Sequence, residues 1–374
     1  MSPSEKKKVC YIISGVDYSL GFIWLIKNIN KEKYEVSFIF LNKNRPSILD
    51  EIDKDEIKSS WIKCEKKLDY ILIFFKLAIY FIRNRPDIVH AHLIEAGLIA
   101  IPASFFTGIK KRIYTRHHAT YNIYYYPHMV KYDKLINFFC TQIIAISTNV
   151  SEVLIQKEKT DPSKVHILPH GFKLNLFEEV SKSNIEKLSL KYNPQKQSPV
   201  IGVISRFIEL KGLQYIIPAF KILLESKPDA LLILANASGN YKTEIDDLLS
   251  SIPSKNYITL KFEKDLFSLY KLFTIFIHVP INNTVEAFGQ VYVEALAAGI
   301  PSIFTKSGIA RDFIEHERNA LVVNYKSSDE IYQAICKLIE EPELRNQLIE
   351  TGRKDVNKLF SFEKSLIEMY ALYD

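Results

Sequence analysis

At 374 residues, 47% hydrophobic and 25% charged, the chain has the make-up of a soluble globular protein with room for two ordinary domains. Four cysteines, at 10, 64, 140 and 336, show no paired spacing, which argues for a reducing compartment and against a disulfide or zinc framework. The net charge of +6 is uneven: residues 1–180 hold 26 Lys/Arg against 19 Asp/Glu, and residues 181–374 hold 23 against 24. A lipid surface or a phosphate-bearing acceptor would account for the basic half, and so would ordinary solubility.

Behind Lys6-Lys-Lys8, the apolar run is too short for a signal-peptide core. Residues 9–14 read instead as a buried strand leading into Ser14-Gly15, then a helix to about Asn30. A strand, a glycine-bearing turn and a helix open nucleotide-binding α/β units, because glycine frees backbone at the strand's carboxyl end. Residues 34–41 form a second strand, 43–67 a polar connection and 68–83 a very apolar helix. Residues 68–82 are the best candidate for a membrane span, but Asp69 and Lys76 interrupt them. The expected location is cytoplasmic, with a peripheral contact to the inner membrane left open.

Residues 86–92 end a strand, 93–106 a helix, and 110–116 a strand that delivers His117-His118. A Tyr-rich segment at 121–128 precedes a helix to about Cys140, followed by strands at 142–147 and 165–168. Residues 172–198, rich in Lys, Ser and Asn, read as the domain boundary. The alternation restarts with strand 199–205, helix 213–224, strand 230–235 and helix 241–250. Strand 274–279, loop 280–284, helix 289–298 and strand 300–304 come next, then helices at 328–341, 343–360 and 362–373. Such spacing implies parallel sheets with helices on both faces. The expected domains are 1–180 and 195–355, with a C-terminal helical segment at 356–374.

Between Lys271 and Lys306 the only full charges are the carboxylates of Glu286-Ala-Phe-Gly-Gln-Val-Tyr-Val-Glu294. The helix start here offers free N–H groups around Phe288, Gly289, Gln290 and Val291, a natural anion site. Glu294, on an otherwise uncharged helix, needs a hydroxyl or cationic partner if it is buried. The plain structural alternative is a water-facing Glu294 and an ordinary helix-start acid at Glu286. Arg206 and Lys211, five residues apart before a helix, can converge on one doubly charged group or serve as surface cations. His90, His92, His117 and His118 invite a metal, but no carboxylate or Cys joins them at ligand spacing, so none is expected. His118 is better placed for a sugar hydroxyl or phosphate, while His90 and His92 read as packing. The tyrosines of 121–126 suit a sugar platform, an interfacial foot or simple packing under a loop. With no basic stripe or known module, nucleic acid is not an expected partner.

Ser205-Arg206-Phe-Ile-Glu-Leu-Lys211-Gly212 and the Glu-x7-Glu stretch resemble the retaining glycosyltransferases of family 4. Asp87-Ile-Val-His-Ala-His92 and Ile167-Leu-Pro-His-Gly171 support the resemblance, which covers most of the chain. It implies the GT-B fold: two Rossmann-like doubly wound domains facing a cleft, with the C-terminal helix crossing back to the N-domain. It implies a retaining, metal-independent enzyme without a cofactor, using a UDP- or GDP-sugar donor and a glycan or lipid-linked acceptor in cell-surface glycan synthesis. By the same resemblance, Arg206 and Lys211 would neutralise the donor diphosphate and Glu286 would hold hydroxyls of the transferred sugar. The amides of Phe288, Gly289, Gln290 and Val291 would bind sugar or phosphates, and Glu294 would accept the ribose hydroxyls. His118 would reach the sugar, and Gly15 would lie beside the phosphates. Ser14-Gly15 departs from the paired glycines of many relatives. A nucleotide-sugar epimerase or hydrolase of the same fold, and a non-catalytic sugar- or lipid-binding module, are the other readings.

Overall fold

Runs of β-branched and aliphatic residues without polar alternation make strands that must be covered on both faces, and here they form two parallel sheets. The structure, a computed structural model, describes residues 6–52 and 57–374. It divides into two units: one runs to Gly171 and takes back Glu363–Asp374, and the other is Phe172–Phe362.

The first unit contains β1 (Lys7–Ser14), β2 (Tyr34–Asn42), β3 (Lys58–Lys63), β4 (Ile88–His92), β5 (Lys111–Arg116), β6 (Gln142–Ala145) and β7 (Val165–Ile167). Their order is β3-β2-β1-β4-β5-β6-β7, all pairs parallel. The helices used below are α1 (Leu20–Asn28), α2 (Asp69–Asn84), α3 (Ile94–Phe106), α4 (Tyr121–Tyr125) and α5 (Val130–Phe139). The core around Val9, Tyr11, Ile13, Phe38 and Phe40 is completed by Met369 and Tyr373 of the final helix, Phe362–Tyr373. The Tyr373 hydroxyl lies 2.6 Å from both Tyr11 Oη and His90 Nδ1, so the returning helix is tied into buried polar groups of β1 and β4.

Residues 43–67 are more than a polar connection, because they include β3. Lys58-Ser-Ser-Trp-Ile-Lys63 lacks a core pattern because it is an edge strand, and edges carry polar residues and lysine.

The second unit contains β8 (Val200–Ile204), β9 (Leu231–Ala235), β10 (Tyr257–Leu260), β11 (Ile275–His278), β12 (Ser302–Phe304) and β13 (Leu321–Val322), in the order β10-β9-β8-β11-β12-β13. The two edge strands, β10 and β13, are four and two residues long, too short for periodicity to reveal. Residues 172–198 carry the helices Asn175–Glu178 and Lys182–Tyr192 and pack with this unit, Phe177 meeting Phe267 and Tyr270 edge-on. In each sheet the strand order reverses beside the first strand, between β1 and β4 and between β8 and β11. The carboxyl ends of strands at such a reversal border the crevice where ligands usually bind in doubly wound sheets.

Candidate active site

The crevice of the second unit is built from loops that approach closely because glycines allow it. Gly212 closes the loop after β8 at φ 77°, and a Cβ there would lie 2.0 Å from the Val279 carbonyl oxygen at the end of β11. Ile281 N donates to Leu210 O at 3.1 Å, joining the two loops. The loop after β12 closes a third side. Ile309 N donates to Phe288 O, Glu286 N donates to Ser307 Oγ, and a Cβ on Gly308 would strike both Phe288 O and Glu286 Cβ.

Lys211 and Glu286, expected from the sequence to share a site, meet there: Lys211 Nζ is ion-paired with Glu286 Oε1. His278 Nε2 approaches the same oxygen at 3.1 Å. Burial alone would raise the Glu286 carboxyl. The Lys211 charge and the His278 hydrogen bond outweigh it and hold the group well below the usual carboxylate range. Burial lowers the His278 pKa against the pull of Glu286, so the ring is neutral at pH 7. An ionised carboxylate only accepts, so Nε2 carries the proton and Nδ1, which has no hydrogen-bond partner among the described residues, is a bare buried acceptor. Arg206 leaves the same strand as Lys211 and is exposed.

Gly289 caps the helix Gln290–Ala297 at φ 83°. A Cβ on it would hit the Tyr292 ring and stand 3.8 Å from the Glu286 carboxyl carbon. The helix start, with the amides of Gly289, Gln290 and Val291, therefore adjoins the Lys211–Glu286 pair. Phe288 is buried, stacked near Phe172 and edge-on to Phe360, so its side chain anchors the loop while its backbone borders the site. Glu294 stands apart from Glu286. It is buried, accepts a 2.8 Å bond from the Tyr270 hydroxyl, and is pushed up by burial to about 7. Tyr270 lies 24 residues upstream and carried no signal in the sequence, although the need for a hydroxyl partner did.

In the first unit, Gly15 follows β1 at φ 65° with open space where a Cβ would stand. Ser14 Oγ beside it donates to Glu95 Oε2 at 3.1 Å and accepts from Ala96 N, tying the β1 turn to the start of α3. His118 follows β5, its Nε2 3.1 Å from Asp133 Oδ1. Burial, then the Arg116 charge, lowers its pKa against the pull of Asp133. Arg116, fully buried, bridges Asp133 at 3.1 Å and Glu158 at 2.6 Å, so His118 is oriented by an internal ion network. His90 and His92 are packed inside: His90 lies between Tyr373 and Thr115, and His92 Nδ1 sits 3.1 Å from His117 Nε2.

Two family models match in sequence: Glycosyltransferase Family 4 over residues 25–176 and Glycosyl transferases group 1 over residues 184–355. The chain belongs to the group 1 glycosyltransferases. Its relatives include the capsular polysaccharide biosynthesis glycosyltransferase CapM of Staphylococcus aureus, 28% identical over 304 residues, 80% of this chain and 79% of that one. An Escherichia coli UDP-Gal:alpha-D-GlcNAc-diphosphoundecaprenol alpha-1,3-galactosyltransferase is 20% identical, over 78% of this chain and 76% of its own. Among solved structures, Anabaena HepE in complex with UDP and glucose matches with a TM-score of 0.83 at 18% identity, covering 98% of this chain and 99% of that one. The shared fold of this glycosyltransferase is thus GT-B.

Proposed function

We propose that this glycosyltransferase moves a sugar from a nucleoside diphosphate sugar to a glycan or lipid-linked acceptor, with retention of configuration and without a metal. The observation that carries the reading is the Lys211–Glu286–His278 cluster beside the Gly289 helix start, at the switch point of the second sheet. Breaking an anomeric bond to a diphosphate puts growing negative charge on the leaving oxygen. Fixed cations and amides aimed at that oxygen lower the barrier. Lys211 supplies a mobile point charge, Arg206 a forked donor set, and residues 289–291 the free amides. Together they do the work a metal would otherwise do.

Glu286, held ionised, accepts hydroxyls of the transferred sugar and so fixes the anomeric carbon over the cations. The acceptor hydroxyl then enters on the face the diphosphate leaves, and the departing oxygen takes its proton. Glu294 receives the ribose hydroxyls. His118 and Gly15 serve the sugar and the phosphates from the first unit. The UDP and glucose named for HepE support a donor of this class, and the name of CapM supports a role in polysaccharide synthesis.

The test is incubation with a panel of UDP- and GDP-sugars and with glycan and polyprenyl-linked acceptors, read by mass spectrometry and by the anomeric coupling of the product. Transfer with the donor's configuration, undiminished by a chelator, is expected. Free sugar or epimerised donor without any transferred product would replace this reading with that of a hydrolase or epimerase.

A further inference from the structure

α2 has two apolar faces. Ile73, Leu77 and Phe81 are buried against the first unit. Leu68, just before the helix, and Ile71, Leu72, Phe75, Ile79 and Ile82 form a stripe on the opposite side, between 51% and 80% exposed. The stripe recurs every three to four residues, so it is one continuous face about 21 Å long rather than scattered exposure. It also continues sideways. The Phe74 ring lies 6.2 Å from Phe106 at the end of α3, Phe106 lies 5.9 Å from Phe139 of α5, and Phe138 beside it is 72% exposed. On α5 the outward residues are Lys131, Lys134, Leu135 and Phe138, while its one acid, Asp133, is buried against Arg116.

The charges around this face are mainly positive; Asp69, at the head of α2, is the helix's one acid and accepts from the Glu65 and Lys66 backbone N–H groups. Between Tyr70 and Pro86 there are Lys76, Arg83 and Arg85 and no acid. Beyond the C-terminal end of α2, Arg85 joins Lys6, Lys7, Lys8 and Lys111 around a cavity of about 440 Å³, with Asp87 and Asp374 the acids lining it among the described residues. Among the described residues no helix is long and apolar enough to cross a membrane.

We infer that this face of the first unit docks on a bilayer carrying anionic headgroups, with α2 lying in the interface plane. Its outer stripe sits at the acyl boundary, and Lys76, Arg83, Lys131 and Lys134 meet the headgroups. An apolar centre bordered mainly by cations complements such a surface. A second copy of the face would bring a cation excess of its own, so an anionic surface is the better complement. The use of the docking rests on the lipid-linked acceptor proposed above, whereas the docking itself is read without any transfer.

The full chain is floated with vesicles of phosphatidylcholine alone and of phosphatidylcholine with phosphatidylglycerol. Flotation with the anionic vesicles, weakened by salt and absent with phosphatidylcholine alone, is expected. The triple substitution Ile71→Glu, Phe75→Glu, Ile79→Glu should lower the bound fraction at least tenfold while the melting temperature and the thermal shift with UDP stay as in the parent chain. Should that variant fail to fold, Lys76→Glu with Arg83→Glu, both on the exposed side, must lower binding in its place. A parent chain that does not float with anionic vesicles overturns the inference. So does a folded triple variant that floats unchanged, or a parent dimer that the variant converts to monomer without any vesicle binding. Vesicle binding without sugar transfer would count against the proposed function and leave the docking standing.

Discussion

Lys211 and Glu286 neutralise one another, and the proposed function assigns each to a different part of the donor. Glu286→Gln keeps the shape and the hydrogen-bonding capacity but removes the charge. Turnover should fall at least a hundredfold with the melting temperature within a few degrees of the parent, measured with the donor identified by the panel above. Lys211→Ala should cost as much turnover and also stability. A buried carboxylate left without its cation costs about 3–5 kcal/mol. Near-normal turnover in both variants would remove the assignment.

Glu294 gives a pH signature of its own. Its folded-state pKa is raised by burial from 4.5 to about 7, so between those values the folded chain binds more protons than the unfolded one. Stability contributed by this group is full below about pH 4.5 and is lost as pH rises through 7, by roughly 3 kcal/mol. Glu294→Gln should therefore flatten that part of the stability–pH curve and leave the variant more stable than the parent at pH 8. In the proposed role, ribose hydroxyls donating to this carboxylate would favour its ionised form. Calorimetric donor affinity should accordingly fall as pH drops below 7 in the parent and stay level in the variant.

The elements of the site are held less by their own propensity than by how closely loops can approach. The helix Gln290–Ala297 has only eight residues, and it starts from a glycine at φ 83° whose neighbours are a tyrosine ring and the Glu286 carboxyl. Gly212 is the sharper case, since it combines φ 77° with a carbonyl oxygen 2.0 Å from where a Cβ would stand. Gly212→Ala must both strain the backbone and push the β8 and β11 loops apart. A loss of at least about 2 kcal/mol is expected, together with a collapse of donor binding, measured by chemical denaturation and calorimetry. Gly15→Ala is the control. Its φ of 65° carries strain of about 1–2 kcal/mol, but the space around it is open, so its effect should be the smaller.

Across the whole chain, the last twelve residues are not a tail but part of the first unit's interior. Tyr373 stands between Tyr11 and His90 with burial pushing its own pKa up, and Tyr370 accepts the Asn30 amide at 2.7 Å. Tyr373→Phe leaves buried polar groups of β1 and β4 short of a partner and should cost about 1–3 kcal/mol. Because the two units have separate cores, the loss should appear in the unfolding transition of the first unit. Hydrogen exchange should show loosened protection in β1 and β4 and none in β8 or β11.

The sequence by itself determined the alternation of strands and helices, the helix start at Gly289, the apolar isolation of Glu286 and Glu294, and the family. Each of these depends on residues near one another in the chain, where periodicity and special residue types are visible. What only the tertiary structure decided are the partners. Lys211 and His278 join Glu286, Tyr270 serves Glu294, and Arg116 is caught between Asp133 and Glu158. The edge strands β3, β10 and β13 also needed the sheets, because an edge is defined by its neighbour rather than by its own pattern. The same holds for α2: its sequence is apolar on two opposite faces, and only packing against the first unit separates the one that is buried from the one left facing outward. Strand order brings distant residues together, and local hydrophobic patterning carries no information about which of them will meet.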